Sequence, residues 1–122
     1  MERCLRIIQS ACEQAKQFAI PTLSAPVELA QAITQYTADT AHIFFCDPQG
    51  TPFIEQISSL HSHSSPSIVL IAGPEGDLTT DEKELLQAAK IPFCSLTPTI
   101  LRAFQAIILS TALVRCTSSK KT

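Results

Sequence analysis

Glycine is nearly missing from this chain of 122 residues: there are three, Gly50, Gly73 and Gly76, and the last two fall within four positions of each other. Scarce glycine that clusters marks a place where the backbone turns unusually or is approached closely. No Cys-x-x-Cys pair occurs, and the five cysteines (4, 12, 46, 94 and 116) are odd in number, with most of them in apolar runs. That pattern excludes a disulfide framework and points to the reduced thiols of a cytoplasmic protein. The histidines, His42, His61 and His63, have no further ligands around them, so a metal centre is not expected. Positive charge is thin: the net charge is -2 and the one basic cluster is Lys120–Lys121 at the tail. This excludes a self-sufficient RNA-binding face, which needs a basic patch. Glu2, Arg3 and Arg6 break the first apolar residues, which excludes a signal peptide. The apolar run Ile100–Val114 contains Arg102 and Gln105 and falls short of the ~20 residues that cross a bilayer, so no membrane partner is expected.

What is present suits one domain with one core, since 45% of the residues are hydrophobic. Residues 2–18 read as a helix with Leu5, Ile8, Cys12 and Ala15 along one face, stopped at Ile20–Pro21. Pro26 opens a second helix with Val27, Leu29, Ala30 and Ile33 as its apolar positions. His42–Cys46 reads as a strand closed by the turn Asp47-Pro48-Gln49-Gly50, and Phe53–Leu60 as a short helix before a serine-rich loop, His61–Ser67. Ile68–Ala72 is the most apolar strand, patterned for burial on both faces of a parallel sheet. Thr79 and Glu82 form a capping box for a helix reaching about Lys90. Pro92–Leu96 is a further strand, Thr97–Pro98 a turn, and Ile100 to about Cys116 the last helix. Strands alternating with helices predict an α/β fold, a mostly parallel sheet flanked by helices.

Ligands of open α/β sheets bind beyond the carboxyl ends of the strands. Three loops lie there: Asp47–Gly50, Gly73–Asp77 and Leu96–Thr99. The middle one is the best candidate, because Gly73 and Gly76 let backbone groups reach a ligand, Pro74 fixes the chain between them, and a capped helix follows. Taken alone, Gly-Pro-Glu-Gly is equally a tight strand-to-helix turn; it is neither a dinucleotide fingerprint nor a P-loop.

Two segments read together go further. Ile68-Val-Leu-Ile-Ala-Gly-Pro-Glu-Gly-Asp-Leu-Thr, then a helix, then Phe93-Cys-Ser-Leu-Thr-Pro-Thr-Ile-Leu-Arg102, closely resembles the SPOUT-type methyltransferases. Within them the nearest family methylates the uracil ring nitrogen N3 in small-subunit ribosomal RNA, and the resemblance extends weakly to the amino-terminal Glu-Arg helix. It implies one methyltransferase domain over residues 1–122, a deep trefoil knot at the carboxy terminus, and a cytoplasmic homodimer joined through the last helix. It also implies S-adenosylmethionine held, mostly by backbone groups, in two bends, Ile71–Gly76 and Leu96–Leu101. Carried onto this sequence, the cofactor residues are Ile71, Gly73, Pro74, Glu75, Gly76, Leu96, Ile100 and Leu101. The reaction implied is an in-line displacement of the sulfonium methyl by the uracil nitrogen, with ribosomal RNA as substrate. Arg102 is the candidate for stabilising charge on the uracil oxygens, with a surface or dimer salt bridge as its alternative. Glu75 reads as a loop-shaping hydrogen-bond acceptor.

The chain departs from that family's pattern in several places. Asp77 stands where the family has a second glycine, Thr97 and Thr99 replace a glycine and an arginine, and Lys16-Gln17-Phe18-Ala19 replaces Gly-Arg-x-Arg. The family's amino-terminal β-barrel RNA-binding domain has no counterpart in these residues. Two other readings therefore stay open: a degenerate or truncated knot domain that binds cofactor or a partner without catalysis, and an unrelated α/β binding domain.

Overall fold

Alternation along His42–Cys46 decides the architecture. Ile43 and Phe45 project to one face of the sheet, Phe44 and Cys46 to the other, and each set founds its own core. The fold comes from a computed structural model and is described for residues 1–62 and 66–118; His63 of the serine-rich loop and the Lys120–Lys121 pair lie outside the described residues. The elements are α1 (Glu2–Gln14), α2 (Leu29–Ala38), β1 (His42–Pro52), α3 (Phe53–Ser58) continued by a 3₁₀ turn (Ser59–Ser62), β2 (Ile68–Ala72), α4 (Thr80–Ala88), β3 (Phe93–Ser95) and α5 (Ala103–Ser118). All three strands run parallel in the order β2-β1-β3, so the link from β2 to β3 crosses over β1. On one face Ile33 of α2 and Leu86 of α4 pack with Ile43, Phe45 and Ile91. On the other, Phe53 and Ile57 of α3 pack with Phe44 and Cys94, joined by Leu113 and Val114 of α5. Edge-to-face ring pairs, Phe44–Phe53 at 5.3 Å and Phe45–Phe93 at 4.9 Å, tie the central strand to α3 and to β3. After β3 the chain returns, and α5 lies against β2 and α3.

Glycine scarcity has a structural consequence at the helix ends. Helices α1, α2 and α4 all finish in the same double-bonded motif: Gln17 N–H to Cys12 O, Ala41 N–H to Tyr36 O, and Ile91 N–H to Leu86 O, each with the inner bond one residue earlier. The motif needs a left-handed residue, usually glycine, and here Lys16 (φ 53°), Thr40 (φ 56°) and Lys90 (φ 58°) take that place. None of the three glycines has positive φ. The motif on α4 is sealed by its apolar pair, since Leu86 and Ile91 are both buried.

Several boundaries differ from those the sequence pattern predicts. Helix α1 ends at Gln14 rather than 18, because Lys16 has turned left-handed. Pro26 does not open α2: the backbone is still extended at Glu28 (φ -64°, ψ 143°), and Val27 lies exposed outside the helix. Asp47–Gly50 does not end its strand but bulges out of it, since Cys46 and Thr51, either side of it, both pair with Cys94. Gly50 is required there by contact: a Cβ on it would lie 2.5 Å from the Phe93 carbonyl and the Cys94 nitrogen. Strand β2 is half-buried along its length, not buried on both faces, because it is the outer strand and β1 the central one. Helix α5 begins at Ala103, leaving Ile100, Leu101 and Arg102 in the preceding bend. The capping box on α4 is as expected, Glu82 N–H donating to Thr79 Oγ1 (3.2 Å) and Thr79 N–H to Glu82 Oε2 (2.8 Å).

Two substitutions should move stability in opposite directions. Thr40→Gly removes a left-handed β-branched residue and is expected to stabilise by about 1 kcal/mol. Gly50→Ala should cost about 2–3 kcal/mol, because backbone rather than a movable side chain blocks the methyl. Urea unfolding midpoints check both; a Gly50→Ala midpoint equal to wild type would refute the bulge packing.

Candidate functional site

Parallel strands end together, and here the bend after β2 and the bend after β3 meet beside the β1 bulge. They enclose a cavity of about 600 Å³ lined by Gly73, Pro74, Glu75, Gly76 and Asp77 from the first bend, Ile100, Leu101 and Arg102 from the second, and Cys46 and Pro48 from β1. Its size falls within the range of small-molecule sites. Seven of the nine residues that the sequence reading singles out thus share one wall. Leu96 lines a smaller neighbouring space of about 40 Å³ with Cys94 and Thr97. Ile71 does not reach the cavity: alternation along β2 turns it into the core on the α2–α4 side.

The first bend is shaped by Asp77. Its backbone is left-handed (φ 67°), its N–H donates to Pro74 O (2.9 Å), and its carboxylate accepts the Leu78 N–H (2.7 Å). Aspartate tolerates this conformation through such a local bond. The acceptor role expected of Glu75 therefore falls to Asp77, and no hydrogen bond of the exposed Glu75 is found among the described residues. Gly73 and Gly76 serve by leaving room. A Cβ on Gly73 would meet Asp77 Oδ1 at 3.5 Å, and one on Gly76 would meet nothing within 4 Å.

Lys83 of α4 ties the bend to the β1 bulge. Its ammonium donates to Asp77 Oδ2 (2.6 Å) and to Asp47 Oδ2 (3.3 Å), while the other oxygen of the buried Asp47 carboxylate accepts the Gln49 N–H (2.8 Å). The Lys83 bond, with the Leu78 N–H, holds the Asp77 carboxyl below its usual range, and Asp77 in turn raises Lys83. Neither Asp47 nor Lys83 is singled out by the sequence pattern. Asp47 is visible there only as a turn residue, and Lys83 only as the one cation in the run Asp81-Glu-Lys-Glu84.

The second bend is closed by Thr97, whose hydroxyl donates to Thr99 O (2.8 Å). Arg102 follows at the mouth of α5, where its carbonyl accepts the first helical bond from Ala106 N–H (2.9 Å) and its N–H donates to Gln105 Oε1 (3.0 Å). Gln105 thus supplies half of a capping box and fixes the backbone that carries Arg102. The guanidinium is exposed and, among the described residues, makes no ion pair. The described residues contain no group of three His, Cys, Asp or Glu able to hold a metal, and no helix long and apolar enough to cross a membrane.

Comparison with known proteins bears on this site. Residues 1–115 match the family described as the RNA methyltransferase domain. The chain is 27% identical, over 98% of its length, to ribosomal RNA small subunit methyltransferase E of Mycobacterium tuberculosis, of which it spans 46%. Among solved structures, the Legionella pneumophila methyltransferase Lpg2936, in complex with its cofactor SAM, superposes with a TM-score of 0.80 at 27% identity, over 94% of this chain and 45% of that one. The ribosomal RNA small subunit methyltransferase E of Neisseria gonorrhoeae shares the fold, with a TM-score of 0.70 at 22% identity over 97% of this chain and 45% of that one. The chain thus spans about half the length of the relatives it matches.

The Lys83 clasp carries a pH prediction. Asp77 has a lowered folded pKa, so its contribution is complete above the unfolded aspartate value of about 3.9 and is lost as pH falls through the folded value. Lys83 has a raised one, so its contribution is complete below about 10.4 and is lost at higher pH. Between those limits the clasp is intact. Lys83→Met should lower the melting temperature at pH 7 and flatten the acid-side decline below pH 4. A decline as steep in the variant as in wild type would show that the pair contributes nothing.

Proposed function

The chain belongs to the RNA methyltransferase domain family, and from that membership we propose that it is the cofactor-binding part of an S-adenosylmethionine-dependent methyltransferase that modifies ring nitrogen N3 of a uridine in small-subunit ribosomal RNA. The observation that carries this reading is the convergence of the two bends on one cavity. The residues there suit the cofactor. Open space over Gly76 admits a ligand against the main chain, Ile100 and Leu101 offer apolar surface to an adenine ring, and Glu75 adds negative charge to the wall, which suits a cationic sulfonium ligand. Gly73, Pro74, Glu75, Gly76, Ile100 and Leu101 hold the cofactor directly in this reading, with Leu96 supporting the second bend and Ile71 the strand beneath the first.

When bound, the cofactor supplies an electrophilic methyl group. The chain's part is to hold and to polarise. Lys83 and the Asp77 turn fix the first bend, Thr97 fixes the second, and fixed walls are what bring nucleophile and methyl into line. Uracil must lose its N3 proton, which leaves negative charge on the flanking carbonyl oxygens. In this reading Arg102, which lines the cavity, makes no ion pair among the described residues and is anchored through Gln105, stabilises that charge. The trefoil knot belongs to this proposal, and the return of α5 from β3 to β2 supports it.

Homodimerisation through α5 and a cytoplasmic setting complete the reading. Helix α5 turns its small residues, Ala106 and Ser110, inward and presents Phe104, Ile107 and Ile108, each more than half exposed, outward. An apolar outward stripe of that kind supports a partner surface. The thin positive charge and the threonines at positions 97 and 99 favour the second reading, cofactor binding without catalysis, and experiment divides the two.

Titration calorimetry with S-adenosylhomocysteine should give measurable heat, and Gly76→Val should weaken binding at least about tenfold with an unchanged melting temperature, since a Cβ at that position meets no protein atom within 4 Å. No heat with the wild-type chain removes the cofactor site. Methyl transfer to small-subunit ribosomal RNA should fall about 100-fold in Arg102→Ala with cofactor affinity retained; activity in neither protein selects binding without catalysis. Sedimentation should give a dimer that Ile108→Asp dissociates, and a monomeric wild type would refute that interface.

A further inference from the structure

Cys46 and Cys94 stand directly opposite each other on the parallel strands β1 and β3. Partners in such a ladder point to the same face, on strands about 4.8 Å apart, a separation a disulfide can span. Both thiols are free, and they pack together in the core on the α3–α5 side. Cys94 is wholly buried, whereas Cys46 is half-buried and forms part of the wall of the 600 Å³ cavity. The pair is chemically uneven. The Cys94 thiol, as hydrogen-bond donor, lowers the Cys46 pKa against the opposing effect of burial, and Cys94 itself is pushed up by Cys46 and by burial. Methyl transfer gives neither sulfur a part. The other cysteines, Cys4 and Cys12 on α1 and Cys116 on α5, lie outside the cavity wall.

We infer that Cys46 and Cys94 form an oxidisable dithiol in the cavity wall, with Cys46 the sulfur attacked by a small hydroperoxide and Cys94 the sulfur that resolves it to a disulfide. In the first step the Cys46 thiolate displaces hydroxide from hydrogen peroxide and becomes a sulfenic acid, the sulfur being oxidised as the O–O bond breaks. In the second the Cys94 sulfur attacks the sulfenic sulfur; the S–S bond forms, the S–O bond breaks, and the Cys94 proton leaves with the hydroxyl as water. The bond ties the base of the β1 bulge to β3, and thiol exchange reverses it. Proximity allows the second step, and access through the cavity allows the first. Cys46 meets both requirements, being open on one side and facing Cys94 on the other.

The test uses the full chain, reduced, freed of reductant and exposed to hydrogen peroxide. It is then unfolded, alkylated and mapped by peptide mass spectrometry, with thiol content as a second readout. The expected product is a peptide pair joined between positions 46 and 94 that dithiothreitol separates, formed whether or not the chain binds S-adenosylhomocysteine. In Cys94→Ala, dimedone should trap a sulfenic acid at Cys46. In Cys46→Ala, oxidation of Cys94 should slow at least about tenfold. The inference is overturned if wild-type Cys94 stays alkylatable while Cys46 proceeds to the sulfinic acid, if Cys46 links instead to Cys4, Cys12 or Cys116, or if Cys94 oxidises equally fast without Cys46. Should either variant fail to give a folded circular dichroism spectrum, the wild-type linkage map decides alone.

Discussion

Because β1 lies between β2 and β3 with all three strands parallel, the chain leaves the sheet three times at the same end. One exit bulges and returns at Asp47–Gly50, one turns into α4, and one leads to α5. The cavity exists because these exits are neighbours, and they are neighbours because Ile43, Phe44 and Phe45 are buried on opposite faces of the central strand. Contact at Gly50 keeps that arrangement tight: the bulge rests on the β3 backbone with no room for a side chain. Shifting β1 by one residue would exchange its two apolar sets between layers of different shape and draw the exits apart.

Polar chemistry then fixes the exits in place. Lys83 satisfies one buried and one exposed carboxylate, so the cost of burying Asp47 is met by a hydrogen-bonded cation and a backbone amide. Asp77 does by side-chain bonding what a glycine does by lacking a side chain: it occupies a left-handed position and closes a turn. The departure from the family's second glycine is therefore structurally compensated, and the compensation brings Lys83 into the site. Thr97 is a similar case, since its hydroxyl closes the second bend. In both bends a side-chain bond closes the turn beside the cavity.

Much of the fold was legible in the residue pattern. Period-two alternation in β1, the apolar run in β2 and the capping box at Thr79 each depend on residues a few positions apart, so a local reading captures them. The misreadings share one cause. Pro26 and Ile100 satisfy helical preferences locally, yet both lie in the connections before their helices, which start at Leu29 and Ala103. Asp47–Gly50 has strong turn chemistry, yet pairing on either side of it to Cys94 makes it a bulge. Left-handed Lys16, Thr40 and Lys90 carry no sequence signature, because glycine usually stands in that position.

By itself the sequence determined the α/β class, the parallel sheet, the two bends at the strand ends and the family to which the chain is similar. These follow from hydrophobic periodicity and from short motifs whose chemistry is contained within a few bonds. Tertiary structure alone decided that the bends share a cavity, that Lys83 joins Asp47 to Asp77, and that Cys46 faces Cys94. The Asp47–Lys83 and Cys46–Cys94 pairings bring together residues 36 and 48 positions apart. Distance along a chain says nothing of distance in space until strand order and register are set, and these depend on the whole core at once.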